Sequence, residues 1–477
     1  MKNIVFIVLA ALLLCSCSDL LEEKPQAIAA ETFFNTASEV ESGIAGVYAH
    51  LRNGDGFRAV YIVMLEESSD IIYGGLGSWS PPSKYGGLDA TNITRVGNTW
   101  VQFYRAVRNS NILIEAIPKA KSVSDNDKDK LMGEVRFLRA LAYFQLVRCW
   151  GTIPLRTEEN RLEYELPRTS ESEVYNLIIS DLEFAGVALP TTVSNAGRAT
   201  KWSAKMLLAD VYFTLNQYDK ATELSNEIIQ SKQYNLVEIN TTDDFEKLYG
   251  ATVVNTPEEI FYFKFHEQDG FSGAIYFHGS GNAGTYMRQP GYNVIINYNN
   301  RPVYVNQDDR DLRKGLWYSY SGGLVQPGGL LLKKYNDKTG TNPRNSFPLY
   351  RYADCLLLYA EASCRISTGP TPAGLEALNM VHRRAYGHPS TQPSPVDFKI
   401  NDYNKESFIE LCIKERGYET VGESKRWFDL KRLGKAEAGR YVRENRGMEI
   451  AEKHWLWPIP VSETNFNKAI TVQNPGY

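Results

Sequence analysis

Glu66 and Asp70 stand four residues apart, a spacing that can put two carboxylates on one helical face, and paired carboxylates are what glycoside hydrolysis uses. Acid pairs at this spacing are also common on solvated helix faces, and nothing nearby reinforces a catalytic reading. The six His residues offer no HExxH or other tight ligand spacing, and His266 with His278 is too loose for a metal site. No Walker loop and no GxSxG elbow occurs. Asp125, Asp127 and Asp129 alternate as in a calcium loop, but Lys130 occupies the glycine position and Arg136 that of the bidentate glutamate. We therefore expect no catalytic residue, no cofactor and no metal.

Cys17 carries more specific chemistry. Behind Met1 and Lys2, an unbroken apolar run from Ile4 to Leu14 meets the small residues around Cys15, Ser16 and Cys17. The run is too short to cross a bilayer, which takes roughly 20 apolar residues, and reads as a signal-peptide core. A lipoprotein signal peptidase needs a small residue before the cysteine that takes the diacylglycerol. Ser16 precedes Cys17, whereas Leu14 precedes Cys15. Residues 1–16 are thus expected to leave as a leader, Cys17 to become the lipidated terminus, and residues 17–26 to serve as a tether. Acyl chains contribute about 0.8 kcal/mol per buried CH₂, and several on one terminus hold firmly. Cys149, Cys355, Cys364 and Cys412 remain for the body; all lie in apolar, helix-like contexts without a CxxC pair, which predicts buried free thiols.

Of the 477 residues, 43% are hydrophobic and 12% aromatic, values of a globular chain. The formal charge of -4 becomes -5 once Lys2 leaves with the leader, which argues against nucleic acid or an anionic membrane surface as the main partner. Tyrosine is in excess, 29 Tyr against 20 Phe, and a ring that packs one face while its hydroxyl stays wet suits contact surfaces.

Helical periodicity dominates the rest. Phe33 to Leu51, Trp100 to Ile117, Lys128 to Trp150, Ser170 to Leu189, Lys201 to Leu215 and Tyr218 to Ser231 carry apolar residues at helical spacing. Ser124 followed by Asp127 is a capping-box-like start. Leu208, Ala209, Tyr212 and Ala221 match a tetratricopeptide repeat, whose small residues let antiparallel helices approach while the Tyr fills the groove. Tyr352 to Arg365 with Gly374 to Tyr386 forms a looser hairpin. The fold class expected is mainly α: a tetratricopeptide-like helical-repeat scaffold with a loop-rich irregular half, residues 27–477 forming one body. Two segments, about 73–98 and 271–329, are rich in Gly, Pro, Ser and Asn with aromatics spaced through them, and read as functional loops.

Several blocks are similar to the SusD/RagB family: the "CSDLLEEKPQ" start, "WVQFYRAVRNSNILIEAI", "RALAYFQLVRCWGTIPL", "FPLYRYADCLLLYAEA", "LNMVHRRAYG", "IKERGYETVGESKRWFDLKR" and "LWPIPVSETNFNKAITVQNPGY". The resemblance spans nearly the whole mature chain in the family's order. It implies a SusD-like, non-catalytic lipoprotein on the surface of a Gram-negative outer membrane. Such a protein captures oligosaccharides, or less often peptides, for a SusC-like TonB-dependent transporter. Asp19, Glu22 and Glu23 are similar to the surface-export signal of such lipoproteins. Physically, the blocks read as scaffold: Glu415 with Arg416 and Arg426 with Asp429 as paired charges between helices, and Trp455 to Pro460 as an extended segment.

A pyranose offers apolar C–H faces and a rim of hydroxyls, so its receptor needs flat rings beside planar hydrogen-bonding groups. Tyr73, Trp79 and Tyr85 from the first loop, and Tyr286, Arg288, Tyr292 and Tyr298 from the second, are expected to line a shallow ligand surface with Asn92 and Asn293 nearby. Trp317, Tyr318 and Tyr320 form a cluster of lower rank, with Trp317 assigned to the core. A peptide receptor and a protein-only tetratricopeptide adaptor are the alternative readings.

Overall fold

The computed structural model describes residues 33–74, 78–266, 268–270, 273–277, 295–319, 327–337 and 343–477. Cys17 and its tether lie outside them, as do Tyr286, Arg288, Tyr292, Asn293, His278 and Tyr320. The first half is a run of helices: α1 (Ala37–Leu51), α2 (Val60–Glu67), α3 (Ala90–Ala116), α4 (Asp125–Trp150), α5 (Glu171–Ala188), α6 (Lys201–Thr214) and α7 (Tyr218–Gln230). A short α8 (Pro302–Val305) follows, and the array resumes with α9 (Tyr352–Arg365), α10 (Pro372–Ala385), α11 (Lys405–Thr420), α12 (Arg426–Arg432), α13 (Lys435–Arg446) and α14 (Val461–Phe466).

The helices begin where their caps dictate. Thr36 Oγ1 accepts the Glu39 N–H at 3.3 Å while the Glu39 carboxylate accepts the Thr36 N–H at 2.8 Å, a reciprocal box that opens α1. Ser124 Oγ accepts the Asp127 N–H at 3.2 Å and opens α4, as the sequence predicts. Successive helices pack antiparallel-hairpin fashion, α4 on α5, α5 on α6 and α6 on α7, and α7 continues onto α9, which carries α10 and α11. Leu208, Ala209, Tyr212 and Ala221 are all buried at the α6–α7 hairpin, in the roles the repeat pattern assigns them. The mainly α, tetratricopeptide-like expectation therefore holds.

Between α7 and α9 the chain leaves the array through β2 (Glu259–Phe263) and returns through β6 (Phe347–Arg351), which pair antiparallel with Phe263 opposite Phe347. Beyond that neck, the segments predicted as loops contain strands. β1 (Tyr73–Gly74), β3 (Ile295–Tyr298), β4 (Trp317–Ser319) and β5 (Gly329–Leu332) form one antiparallel sheet in the order β1-β3-β5-β4. The first predicted loop is also shortened, because Asp89 accepts the Asn92 N–H at 3.0 Å and starts α3 at Ala90, ten residues before the apolar spacing becomes regular at Trp100.

The four cysteines of the body are free and buried. Glu66 accepts the Ser424 N–H at 2.5 Å, and Asp70 lies past the end of α2, gripping Arg426 through bonds of 2.7 and 2.9 Å. Those carboxylates serve protein donors. Arg416 pairs with Asp429 at 3.0 Å, and Glu415 with Arg313 at 2.8 Å, so the predicted charge pairing at helix contacts holds; the partner of Arg426 is Asp70 instead of Asp429. Trp150 donates its indole N–H to Pro458 O at 2.9 Å and meets Trp457 edge-on, fixing the C-terminal segment on α4.

Burial opposes the charge on Glu415, but the Arg313 guanidinium and the nearby His382 outweigh it and hold the carboxyl at about 2, below its ordinary 4.5. A lowered folded pKa contributes stability that is present above pH 4.5 and is lost as pH falls towards 2. Glu415→Gln is expected to cost roughly 3 kcal/mol at neutral pH and to flatten the pH dependence across that window, as read by urea denaturation.

Candidate ligand-binding face

Cross-strand register decides what the small sheet presents on each side. Tyr73 stands opposite Ile296, Ile296 opposite Leu331, and Leu331 opposite Tyr318, so these positions form one row. Tyr298, two residues along β3 from that row, shares its face. The other face carries Trp317, Leu330 and Leu332, which join the main hydrophobic core. The outer face is a separate apolar cluster, Leu331 ringed by the half-buried Tyr73, Tyr298 and Tyr318. Trp317 is thus core, as expected from sequence, whereas Tyr318 belongs with the ring face.

The rings are held from the side. Tyr73 and Tyr298 meet edge to face, centroids 5.3 Å apart at 88°. The Arg446 guanidinium lies 3.4 Å from the Tyr73 ring centroid and that of Arg301 at 4.6 Å. Arg446 is itself fixed by donating to Ser83 O at 2.9 Å and to Ile72 O. Neither arginine has a local sequence signal, since each is recognisable only once the ring it covers is in place.

β1 passes close over the end of α2. A Cβ on Gly74 would stand 2.9 Å from Ser83 Oγ and 3.0 Å from Glu67 Oε1, so a side chain there would have to displace both groups. Glu67 is fully buried, and neither of its carboxylate oxygens, nor the Tyr73 hydroxyl, has a hydrogen-bond partner among the described residues. Burial pushes the Glu67 carboxyl well above its ordinary range against the pull of Arg95 and Arg446.

Trp79 is half-buried beside the first strand, with the Arg95 guanidinium 3.4 Å from its ring centroid. Arg95 also donates to Ser78 O at 2.7 Å and to Asn92 Oδ1 at 2.9 Å. Two of the residues expected on the surface are corrected by burial. Asn92 is inside the first turn of α3, fully buried, donating to Ser78 O and Asp89 Oδ1 at 2.8 Å each. It pins the turn that carries Trp79 and meets no ligand itself. Tyr85 is likewise fully buried, its hydroxyl donating to Ser69 O at 2.6 Å and its ring against His454. It serves the core because the chain turns inward at its left-handed φ of 53°. Of the nine ligand residues expected from sequence, the structure brings Tyr73 and Tyr298 into contact and places Trp79 half-buried on the turn that follows β1. Tyr286, Arg288, Tyr292 and Asn293 belong to the segment outside the described residues.

No cluster of three or more His, Cys, Asp or Glu placed to hold a metal occurs among the described residues, and no helix among them is long and apolar enough to cross a membrane. Rings, guanidinium groups and backbone edges in this arrangement can bind a flat, hydroxylated ligand by stacking and hydrogen bonding.

The SusD family model matches residues 256–477, and a second model, described as starch-binding associating with outer membrane, matches residues 19–213. The chain belongs to the SusD family. SusD-like protein P2 of Formosa agariphila is 27% identical over all of this chain and 99% of its own length. Among solved structures, a SusD homolog from Bacteroides thetaiotaomicron superposes with a TM-score of 0.80 at 22% identity, over 96% of this chain and 100% of that one. A laminarin-binding SusD-like protein superposes with a TM-score of 0.75 at 23% identity, over 93% of this chain and 100% of its own. The family is one of glycan-binding proteins associated with the outer membrane.

Asn92→Ala is expected to cost about 1–3 kcal/mol, the penalty for losing its buried bonds with Ser78 O, Asp89 Oδ1 and Arg95. Urea unfolding should shift accordingly, and limited proteolysis should cut faster near Ser78 and Trp79 than in the intact protein.

Proposed function

We propose that this SusD-family protein captures oligosaccharides at the cell surface and delivers them to a SusC-like TonB-dependent transporter, held to the outer membrane by a lipid on Cys17. The observation that carries the reading is the outer face of the β1-β3-β5-β4 sheet, where Tyr73, Tyr298 and Tyr318 surround Leu331 away from the core. An aromatic cluster that adds nothing to the main core has its use in contact, and rings of this kind stack on the C–H faces of sugars. The laminarin-binding structural neighbour and the family's starch-binding description support a glucan as the first ligand to test. Ser16 and Cys17 supply the lipidation chemistry, and delivery to a transporter follows from what the family resemblance implies.

Calorimetric titration against a panel of oligosaccharides and peptides tests the ligand class. Trp79→Ala and Tyr298→Ala are each expected to weaken sugar binding tenfold or more, a loss of about 1.4 kcal/mol or above, with the urea midpoint unchanged. Binding of peptides alone, or sugar affinity untouched by both substitutions, would refute the reading. Cys17→Ser is expected to move the protein out of the outer-membrane fraction, and persistence there would remove the lipid from the account.

A further inference from the structure

A groove of about 340 Å³ opens between α8, α11 and α13, lined by the chain neighbours of the two arginines that clamp Tyr73. Its walls are helical stripes. Ser407, Glu410, Lys414 and Tyr418 recur along one face of α11, with Tyr403 just before the helix, and Tyr441, Glu444 and Asn445 face them from α13. Pro302, Val303 and Asn306 close the third side. The floor is rigid: Arg426 spans it, bound to Asp70, and Asn445 donates to the same carboxylate at 2.7 Å.

The polar groups on these walls are largely unused. The hydroxyls of Tyr403 and Tyr418, the side-chain amide of Asn306 and Oδ1 of Asn445 hydrogen-bond to no described residue, and the Lys414 ammonium meets only the Tyr418 ring, 5.7 Å from its centroid. Tyr441, by contrast, is spent on Glu410 at 3.1 Å. The charges around the groove balance, since Glu410 and Glu444 both accept from Arg440 and Lys414 adds one cation, so the walls do not select an anion. Two half-buried tyrosine rings beside unspent amide, hydroxyl and ammonium donors match a neutral, hydroxyl-rich ring, and the volume lies within the roughly 300–1,000 Å³ of small-molecule sites.

We infer that this groove is a second saccharide subsite, reached by oligosaccharides that extend past the ring face of the outer sheet. The inference rests on the glycan reading proposed above. Continuity supports it: Pro302 follows Arg301 and Asn445 precedes Arg446, the two arginines whose guanidinium groups lie against Tyr73. Ring face and groove are therefore joined through two pairs of adjacent residues, near enough for a chain of several sugars to engage both while a disaccharide engages only one.

The test uses the purified mature protein with laminari- and malto-oligosaccharides of two and six units, followed by calorimetry. The six-unit chain of the bound series is expected to bind at least tenfold tighter than the two-unit chain. Tyr418→Ala, and separately the exposed pair Asn306→Ala with Lys414→Ala, should remove most of that length advantage and leave two-unit binding unchanged, whereas Trp79→Ala weakens both lengths. The exposed pair guards against misfolding, since both side chains stand in solvent at the groove rim. Six-unit affinity unaffected in both groove variants but lowered by Trp79→Ala overturns the subsite and leaves the glycan reading standing. No binding of either series at any length overturns both.

Discussion

The position of the outer sheet on the helical array depends on a set of buried ion pairs centred on Arg351. Its guanidinium reaches Glu258 at 3.2 Å, Glu419 at 2.8 Å and Glu423 at 2.8 Å, and Arg384 completes the ring by pairing with Glu258 and Glu419. The irregular half enters the same network from outside. Lys334, just past β5, binds Glu423 at 2.5 Å, and Arg313, just before β4, binds Glu415 at 2.8 Å and Glu419 at 3.3 Å. These groups are almost completely removed from water, so each charge carries a desolvation cost of several kcal/mol that only its partner offsets. An apolar core of equal volume would be about as stable. What such a core lacks is intolerance of error, because a shift of β4 or β5 along the array would strand a buried charge.

That constraint passes outward to the rings. β5 is the central neighbour of β3 and β4, and β3 carries β1, so fixing Lys334 and Arg313 fixes the row in which Tyr73, Leu331 and Tyr318 stand. Arg446 and Arg301 then hold Tyr73 by its ring, and Tyr73 holds Tyr298 edge-on. Gly74 and the buried Glu67 beneath it show how closely β1 is drawn onto α2.

The helical scaffold was legible because its signals are local. Capping pairs such as Ser124 with Asp127 lie three residues apart, the α6–α7 hairpin repeats small residues at short spacing, and the thiols sit in apolar helical runs. The network was legible only as charges among apolar residues: Arg416 found Asp429 thirteen residues on, but Arg426 found Asp70 across 356 positions. The site was half legible for the same reason. Aromatics in glycine-rich segments pointed to Tyr73, Trp79 and Tyr298, which the structure leaves half-buried, yet a two-residue strand such as β1 leaves no alternation to read, and its partner lies in a distant segment. Tyr85 and Asn92 share that composition and were misplaced, since only the Asp89 cap and the inward turn at Tyr85 separate them from the surface residues.

On the capture-and-delivery reading proposed above, the receptor must release its cargo and cannot rely on a deep pocket. Binding loses affinity to every side chain it must immobilise, at about 0.5–1.5 kcal/mol each. Tyr73 and Trp79 have already lost that freedom to the guanidinium groups of Arg446 and Arg95, which lie 3.4 Å from their ring centroids. Preorganisation therefore supplies affinity without enclosure, and a shallow face of prepositioned rings can hold a sugar by modest stacking while leaving most of it in solvent for the next acceptor. Arg446 is also the chain neighbour of Asn445 on the wall of the α8–α11–α13 groove, so the segment that clamps Tyr73 contributes to both surfaces.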